Sequence, residues 1–562
     1  MISVVAVGYI IFTPYYLTND GLNMRFLAEG NYANMQFTPS DFLMFTSPIY
    51  GLLLHNLYLI FPDIYWYDLM FSFSSLLSLL IFLLCVSSYV NSLNKFIVVY
   101  IFIVCFFSKI LYSPQFTFVS GSLALAAVVI ISEALIAEAR SKLVKYLMYM
   151  SYCFVVALSL LIRSKMLYLI MVTGIVLLLL QIVINHKINK HIIHTFIQYV
   201  ITFLLLACSL LFAEKNYYNF NIENQKKYDL IKLNAMRALI HDGAFTLDDH
   251  LKGDLKHELE NRNGWSVNDY LMIRTWMMVN PEIYNISSFN ENLAVISDKV
   301  TKKYNLKESI YSTVFLLSQS YDKYILYIFS IVFFIFVYGQ GFITKYNAIT
   351  IGIVVVEFFL LSIWIKVLPI RVWYILFLVT FWFVIYFSNE RKKEPECEYN
   401  NCKKYLNIAF FVLFFACITF SDYVQNRFDG YYRLEALGEL DALDKEAVYV
   451  NFGGLNYATL LVRPFNDRQI LSEFKFINVG TNGLIPQIQD SFKKYGLVDY
   501  EKSLCDNDSV YLKGRSYYEN EYDRMFIFKT FMKEHYGQEV HFEEIFNSKR
   551  FSYVRCVTKK NN

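Results

Sequence analysis

A carboxylate, Asp20, stands where an apolar opening segment, residues 1–17, gives way to polar residues. An apolar segment of this length is close to what crosses a bilayer, so we expect Asp20 at a membrane surface. A carboxylate within hydrogen-bond reach of a hydroxyl group can act as a general base, but it can also be a solvated boundary residue. Asp41, after Thr38-Pro39-Ser40, is a second candidate catalytic acid, or else the cap of the helix that follows.

Five Lys and Arg residues are expected at the same membrane surface as Asp20. Positive charge at helix ends on the non-cytoplasmic side opposes the usual topological bias, and a bound phosphate would compensate for it. The alternative is that these side chains extend toward phospholipid head groups. The five candidates for phosphate binding are Lys109, Arg163, Lys165, Lys366 and Arg371.

The composition places the chain in a membrane. Of its 562 residues, 56% are hydrophobic and 18% are charged, and the mean hydropathy is +0.36, more apolar residue than one soluble core uses. The net charge of +3 comes without basic clusters interleaved with aromatic residues, so nucleic acid is not an expected partner. The His and Asp residues between 241 and 257 match no zinc spacing, and no metal site is predicted.

Apolar runs predict about eleven transmembrane helices. Residues 146–185 are apolar almost throughout, yet one straight helix of that length would reach about 60 Å, twice the hydrocarbon core, so we expect a turn at Arg163-Ser164-Lys165. Segment 43–61 contains Pro48 and Gly51, and we expect a partly buried interfacial helix rather than a span. The eleven predicted spans are 1–17, 66–90, 96–112, 116–138, 146–162, 166–185, 194–213, 324–343, 348–367, 372–388 and 405–421.

Loop charge predicts the orientation. With the N-terminus in the cytoplasm, twelve Lys and Arg residues fall on the cytoplasmic side and five on the other, which follows the positive-inside tendency. The start lacks a basic leader and a cleavage site, so we expect a retained first helix in a multi-pass bacterial inner-membrane protein with a periplasmic C-terminal domain. The predicted parts are a membrane module at 1–213 with a periplasmic loop at 18–65, a periplasmic helical region at 214–323, a second membrane module at 324–421 and a periplasmic α/β domain at 422–562.

Local patterns predict the structure of the two large polar regions. Apolar spacing between Leu230 and Ile240 indicates a helix, and a second helix is expected to begin near Trp265, capped by Ser266 or Asn268. Strands are expected at 447–452, 509–512 and 551–557, with a helix at 522–535. Cys505 and Cys556 can pair if the terminal region is periplasmic, but their spacing leaves this open.

The sequence resembles the integral-membrane glycosyltransferases of the GT-C fold, which use a polyprenyl-phosphate sugar as donor. The resemblance rests on an opening span that ends in Asn19-Asp20, the following NDGLNMRFLAEGNY, the segment SPIYGLLLHNLYLIFPDIYWYD and the predicted architecture. It implies a polytopic α-helical membrane protein of about eleven helices with a periplasmic helical insertion and a small C-terminal α/β domain. Within this family, the sequence is most similar to bacterial enzymes that add a side branch to lipopolysaccharide O-antigen or a cell-wall glycan.

The resemblance also implies roles for individual residues. Asp20 would be the catalytic base, and the basic residues at periplasmic helix ends would bind the donor phosphate. Many relatives carry a second acid beside the first, whereas Gly21 follows Asp20 here, so no cofactor is predicted and use of a divalent cation stays open. Expected partners are the polyprenyl-linked sugar, the glycan acceptor and membrane lipid. The candidates for substrate contact are Asn19, Arg25 and His55.

Two other functions fit parts of the pattern. An O-antigen polymerase or ligase with a pyrophosphate-linked donor would rely on arginines of the large periplasmic loop, here Arg237, Arg262 and Arg274. A transporter or flippase would be built around Glu357, a carboxylate in the middle of a predicted span, which is also consistent with a protonated Glu bonded to a neighbouring helix.

Overall fold

The computed structural model describes a large part of the chain. The described residues are 16, 19–89, 110–111, 113–136, 140–184, 190–241, 265–292, 349, 351–353, 356–357, 370–389, 432–452, 461–465, 473–514, 524–549 and 551–559. The predicted spans at 324–343 and 405–421, nearly all of 1–17 and most of 96–112 and 348–367 lie outside these residues, as do Lys109, Arg262 and Lys366.

The segment that begins at Asp20 is a helix, and the expectation of an open loop is wrong there. Helix α1 (Asn19–Glu29) leads into a hairpin of β1 (Asn31–Tyr32) and β2 (Met35–Gln36). Residues 21–28 are all buried, the polar Asn23 and Arg25 included, so α1 is enclosed by the protein on every side.

Helix α2 (Pro48–Ile60) is the Pro- and Gly-containing segment. It begins with Ser47, whose side chain accepts a hydrogen bond from the N–H of Ile49, and with Pro48 in the first turn. Its 13 residues reach about 20 Å, less than the hydrocarbon core, as expected for an interfacial helix.

Long apolar helices form the membrane body. They are α3 (Trp66–Tyr89), α4 (Phe116–Ile136), α5 (Lys142–Ile184) and α6 (Lys190–Asn219), and each contains a segment long and apolar enough to cross a bilayer. Helix α4 is buried along nearly its whole length and packs against α3 and α5. It is therefore the centre of the bundle rather than a lipid-facing helix.

Helix α5 is interrupted at Arg163, where the backbone is extended, with φ −160° and ψ 85°. This confirms the predicted turn. Each half has about 20 residues and reaches about 30 Å, which matches one bilayer crossing.

The middle polar region and a further apolar helix follow. Helix α7 (Ile222–His241) covers the predicted apolar spacing, and α8 (Val267–Arg274) is capped by Ser266, which shares a capping box with Asp269. Both local predictions are confirmed. Helix α9 (Ile370–Asn389) packs against α4, and the Trp382 indole donates to the Ser132 hydroxyl at 3.1 Å.

The terminal region is an α/β domain, as predicted. In chain order its elements are β3 (Val448–Asn451), β4 (Lys475–Asn478), α10 (Pro486–Lys494), α11 (Tyr500–Asp506), β5 (Val510–Lys513), α12 (Arg524–Tyr536), β6 (Val540–Asn547) and β7 (Ser552–Thr558). The strands form one sheet in the order β4-β3-β5-β7-β6, with parallel pairing among β4, β3 and β5 and antiparallel pairing among β5, β7 and β6. A disulfide joins Cys505 of α11 to Cys556 of β7.

Two buried acids join the middle region to the terminal domain. Asp269 of α8 lies 2.9 Å from Nε2 of His535, and Glu501 of α11 accepts from the backbone N–H of Asn280 at 3.1 Å. Burial raises the pKa of Glu501 to about 7. Burial lowers the pKa of His535, but the hydrogen bond and charge of Asp269 outweigh it, so that the pKa lies above its usual range.

We therefore expect the contact between the middle region and the terminal domain to weaken as the pH rises. The folded state keeps the Glu501 proton that the unfolded chain loses near pH 4.5, so stability falls between about pH 4.5 and 7, by about 3 kcal/mol. The raised pKa of His535 also lowers the stability as the pH rises above about 6.5, because the unfolded chain loses its imidazole proton before the folded chain does.

The Glu501→Gln variant should flatten the lower part of this pH dependence. Limited proteolysis of the full chain between pH 5 and 8 measures it, with the exposed Glu544→Gln as the matched control. Equal pH profiles for Glu501→Gln and the wild-type chain would contradict the assignment.

Candidate active site at one face of the membrane helices

The interruption of α5 at Arg163 is fixed by hydrogen bonds from two other segments. The Ser120 hydroxyl of α4 donates to the backbone oxygen of Arg163 at 2.9 Å and also contacts Ser159 Oγ at 2.9 Å. The N–H of Ser47, at the start of α2, donates to the backbone oxygen of Leu161 at 2.9 Å. Carbonyl groups that the interruption removes from helical bonding thus have partners.

The Arg163 side chain is held by two aromatic rings. Its guanidinium lies 4.9 Å from the ring centre of Phe116 and 5.8 Å from that of Phe45, and Nη1 donates to the backbone oxygen of Phe45 at 3.1 Å. The two rings stack on each other with centres 5.4 Å apart. The cation is half-buried and its position is set by contacts from α4 and the segment before α2.

Helix α9 brings Arg371 to the same place. A Cβ added to Gly121 of α4 would lie 2.7 Å from Cγ1 of Ile375, so the absence of a side chain allows the close approach of the two helices. Arg371 is one helical turn before Ile375 and is half-buried. The positive charge of Arg371 repels that of Arg163, and the positive charge of Arg163 repels that of Lys165.

Asp20 supplies the negative charge of this cluster. It lies half-buried in the first turn of α1, where the helix dipole favours a carboxylate. Its charge acts on Arg163 and on Tyr67, whose buried hydroxyl has no hydrogen-bond partner among the described residues. We call Asp20, Arg163, Lys165 and Arg371 the charge cluster; it brings together four predicted site residues that are far apart in the chain.

Arg25 anchors α1 within the protein. Its side chain is 0% exposed, and Nε lies 2.9 Å from Glu29 and 3.5 Å from Asp68 of α3, which is 1% exposed. Nη1 donates to the Tyr16 hydroxyl at 3.1 Å and to the backbone oxygen of Arg463 at 3.0 Å. The predicted role of Arg25 in substrate contact stays a prediction, and the contacts described for it are internal.

Asp41 is bonded to the start of the middle region. Lys227 of α7 donates to it at 2.8 Å and the Tyr217 hydroxyl of α6 at 2.6 Å. Burial pushes the pKa of Asp41 upward, but the hydrogen bonds from Lys227 and Tyr217 outweigh it and hold the pKa below its usual value. Ser47 caps α2, so the expectation that Asp41 caps it is wrong, because the chain runs six further residues before the helix begins.

The remaining predicted residues have contacts of their own. Nδ1 of His55 is 2.6 Å from the backbone oxygen of Pro39, and Asn19 begins α1. Glu357 accepts a hydrogen bond from the Thr173 hydroxyl of α5 at 2.5 Å, which is the interhelical bond that the sequence left open. Within the described ranges, no group of three His, Cys, Asp or Glu residues is arranged to hold a metal ion.

Sequence reasoning missed the residues that position the cluster. Phe45, Phe116 and Ser120 hold Arg163, yet each looks in the sequence like an ordinary apolar or small helix residue. Lys227 was not recognised because it is one of several charged residues in a polar helix. The one usable signal was Gly121 beside Ser120, a small pair in an apolar helix, which is typical of close helix packing.

A substitution at Gly51 should test whether α2 and the loop before it set the position of Arg163. A Cβ there would lie 2.0 Å from the backbone oxygen of Asp41, so Gly51→Ala should force α2 away from the segment that carries Phe45. We expect a loss of about 1–3 kcal/mol in stability. Gly438→Ala, where a Cβ meets nothing within 4 Å, is the matched control. Thermal unfolding in detergent compares them, and equal stability of the two variants would contradict this packing.

No family model and no curated protein matches the chain, and the similarities found are to solved structures. Two solved structures are similar to it, both of ArnT from Cupriavidus metallidurans, one in the apo state and one bound to undecaprenyl phosphate. The apo structure is 10% identical, with a TM-score of 0.38, over 98% of this chain and 96% of that one. The second is 10% identical, with a TM-score of 0.36, over 98% of this chain and 97% of that one.

Proposed function

We propose that the protein is an inverting glycosyltransferase of the bacterial inner membrane. It transfers a sugar from a polyprenyl-phosphate donor to a periplasmic glycan such as O-antigen. The observation that carries the proposal is the charge cluster, in which the charges of Asp20 and Arg371 both act on Arg163. The resemblance of residues 10–70 to GT-C glycosyltransferases agrees with it.

The cations of the cluster suit a phosphate group. Arg163 and Arg371 repel each other, and Lys165 adds a third positive charge, so an anion between them would relieve the repulsion. A guanidinium binds phosphate oxygens with two parallel hydrogen bonds, and a Lys adds a point charge. Because the cluster lies at the interruption of α5 and in the first turn of α9, a lipid-linked phosphate can reach it with its chain among the membrane helices.

Asp20 is the proposed general base. It takes the proton from an acceptor hydroxyl while the oxygen forms a bond to the anomeric carbon of the donor sugar. The bond from that carbon to the phosphate oxygen breaks, and the electron pair leaves with the polyprenyl phosphate. Arg163 and Arg371 stabilise the negative charge that grows on the phosphate, which lowers the barrier. Attack from the side opposite the leaving phosphate inverts the anomeric carbon.

The terminal domain is the proposed support for the glycan acceptor. The N–H of Asn478 donates to the Tyr32 hydroxyl at 2.7 Å, and the Tyr495 hydroxyl donates to the backbone oxygen of Ala33 at 2.6 Å. The domain therefore packs on the hairpin directly after α1, close to the helix that carries Asp20. The Cys505–Cys556 disulfide favours an oxidising compartment such as the periplasm.

The structure offers less support for the two alternatives. Arg237, which a polymerase or ligase would use, is buried with its guanidinium 4.1 Å from the Trp276 ring centre. Glu357, which a transporter would use, is hydrogen-bonded to Thr173. Both residues therefore have structural partners, and within the described part of the chain neither belongs to a cluster of the kind formed around Arg163.

The Asp20→Asn variant tests the proposed base. Asparagine keeps the shape but cannot accept the proton, so we expect transfer to fall at least about 100-fold, with binding of the polyprenyl-phosphate donor retained. Asp63→Asn, the same change at an exposed residue between α2 and α3, should leave activity unchanged. The measurement is transfer of radiolabelled sugar to acceptor glycan by the purified chain in detergent. Wild-type activity in Asp20→Asn would end the proposal for this residue.

A further inference from the structure

A cavity with a lining that is about half polar lies between the membrane helices at the end opposite the charge cluster. Its volume is about 280 Å³, and it is formed by the end of α4 and the first turns of α5 and α6. Lys145 in its wall is 18 residues before Arg163 on the same helical segment, a distance of about 27 Å. The cavity therefore belongs to the other face of the membrane body and is separate from the proposed active site.

The lining of this cavity is suited to an anion. Lys145 provides a positive charge, and the other polar groups include the imidazoles of His191 and His194, the Thr195 hydroxyl and the Gln198 amide. No Asp or Glu is among its lining residues in the described part of the chain. The N-termini of α5 and α6, whose first turns carry Lys145 and His191, add positive ends of helix dipoles.

The nearest carboxylate on α4 already has a cation of its own. Glu133, next to Ala134 of the cavity wall, is 1% exposed and forms an ion pair with Arg140 at 2.8 Å. The charge of Glu133 is therefore compensated by a cation within the protein. Among the described lining residues, an anion in the cavity would meet cationic and hydrogen-bonding side chains and no carboxylate.

The helix surfaces beside the cavity are apolar and exposed. Leu143 and Leu147 of α5 are 67% and 55% exposed, and Ile193 and Ile197 of α6 are 43% and 48% exposed. In a helix that crosses a bilayer, such residues face acyl chains. An anion with an attached acyl chain would therefore satisfy the cavity and the adjacent surface together, whereas a free anion would use the cavity alone.

We propose that this cavity is a binding site for a phosphate group at the membrane face opposite the charge cluster, with a phospholipid as its main source. The phosphate oxygens accept from Lys145, His194 and Thr195, and the acyl chains lie along the exposed residues of α5 and α6. The site is independent of the proposed transfer reaction, because it shares no residue with the charge cluster.

The test is photo-cross-linking of the full chain in detergent with a phosphatidic acid that carries a diazirine in an acyl chain. We expect labelling of peptides that contain residues 143–150 and 193–198, and at least fivefold less labelling in Lys145→Gln and in His194→Gln. Lys142→Gln removes the same charge from the same helical turn outside the cavity and should keep the wild-type labelling. The thermal unfolding temperature of each variant establishes that it is folded.

Competing probes separate the two sources of phosphate. Inorganic phosphate that displaces the label supports a phosphate site open to the free ion, whereas loss of labelling in Lys145→Gln without such competition supports a site that requires the lipid. Equal labelling by a diazirine diacylglycerol, which has the acyl chains but no phosphate, or equal loss in Lys142→Gln and Lys145→Gln, would overturn the proposal, because it would indicate adsorption to the surface alone.

Discussion

The site depends on the interruption of α5 at Arg163, where the Ser120 hydroxyl donates to the backbone oxygen of Arg163 at 2.9 Å. An uninterrupted α5 would be about twice as long as the hydrocarbon core is thick, so the helix must break, and a break inside the protein leaves carbonyl groups without helical partners. Ser120 provides a partner for the backbone carbonyl of Arg163, whose side chain is the central cation of the cluster. The geometry that allows α5 to cross the membrane twice therefore also positions the cation.

Three residues of helix α4, within a stretch of six, position the cations of the charge cluster. Phe116 lies beside the Arg163 guanidinium, Ser120 bonds its backbone, and Gly121 allows the contact with Ile375 that brings Arg371 close. Small residues at helix contacts are typical of membrane proteins, because packing replaces the hydrophobic effect between helices there. The buried helix α4 is thus both the centre of the bundle and the scaffold of the charge cluster.

The features that the sequence predicted correctly depend on local rules. Span length required the turn at Arg163, and the Ser266 cap and the terminal strands follow from patterns of fewer than ten residues. The features that it missed depend on distant partners. Arg25 bonds the backbone of Arg463, 438 residues away, and Lys227 bonds Asp41, 186 residues away. Helix α1 was missed because its buried surface includes Asn23 and Arg25, whose hydrogen-bond partners include residues more than 400 positions away.

The central claim is that Arg163 and Arg371 bind one phosphate, and a double-mutant cycle measures this directly. The affinity for undecaprenyl phosphate is determined for the wild-type chain, Arg163→Gln, Arg371→Gln and the double variant. Each single change should cost about 1.5–3 kcal/mol, the usual strength of a hydrogen bond to a charged group. If both side chains hold the same phosphate, the effects should deviate from additivity by at least about 0.5 kcal/mol; additive effects, or wild-type affinity in either variant, would contradict the shared site.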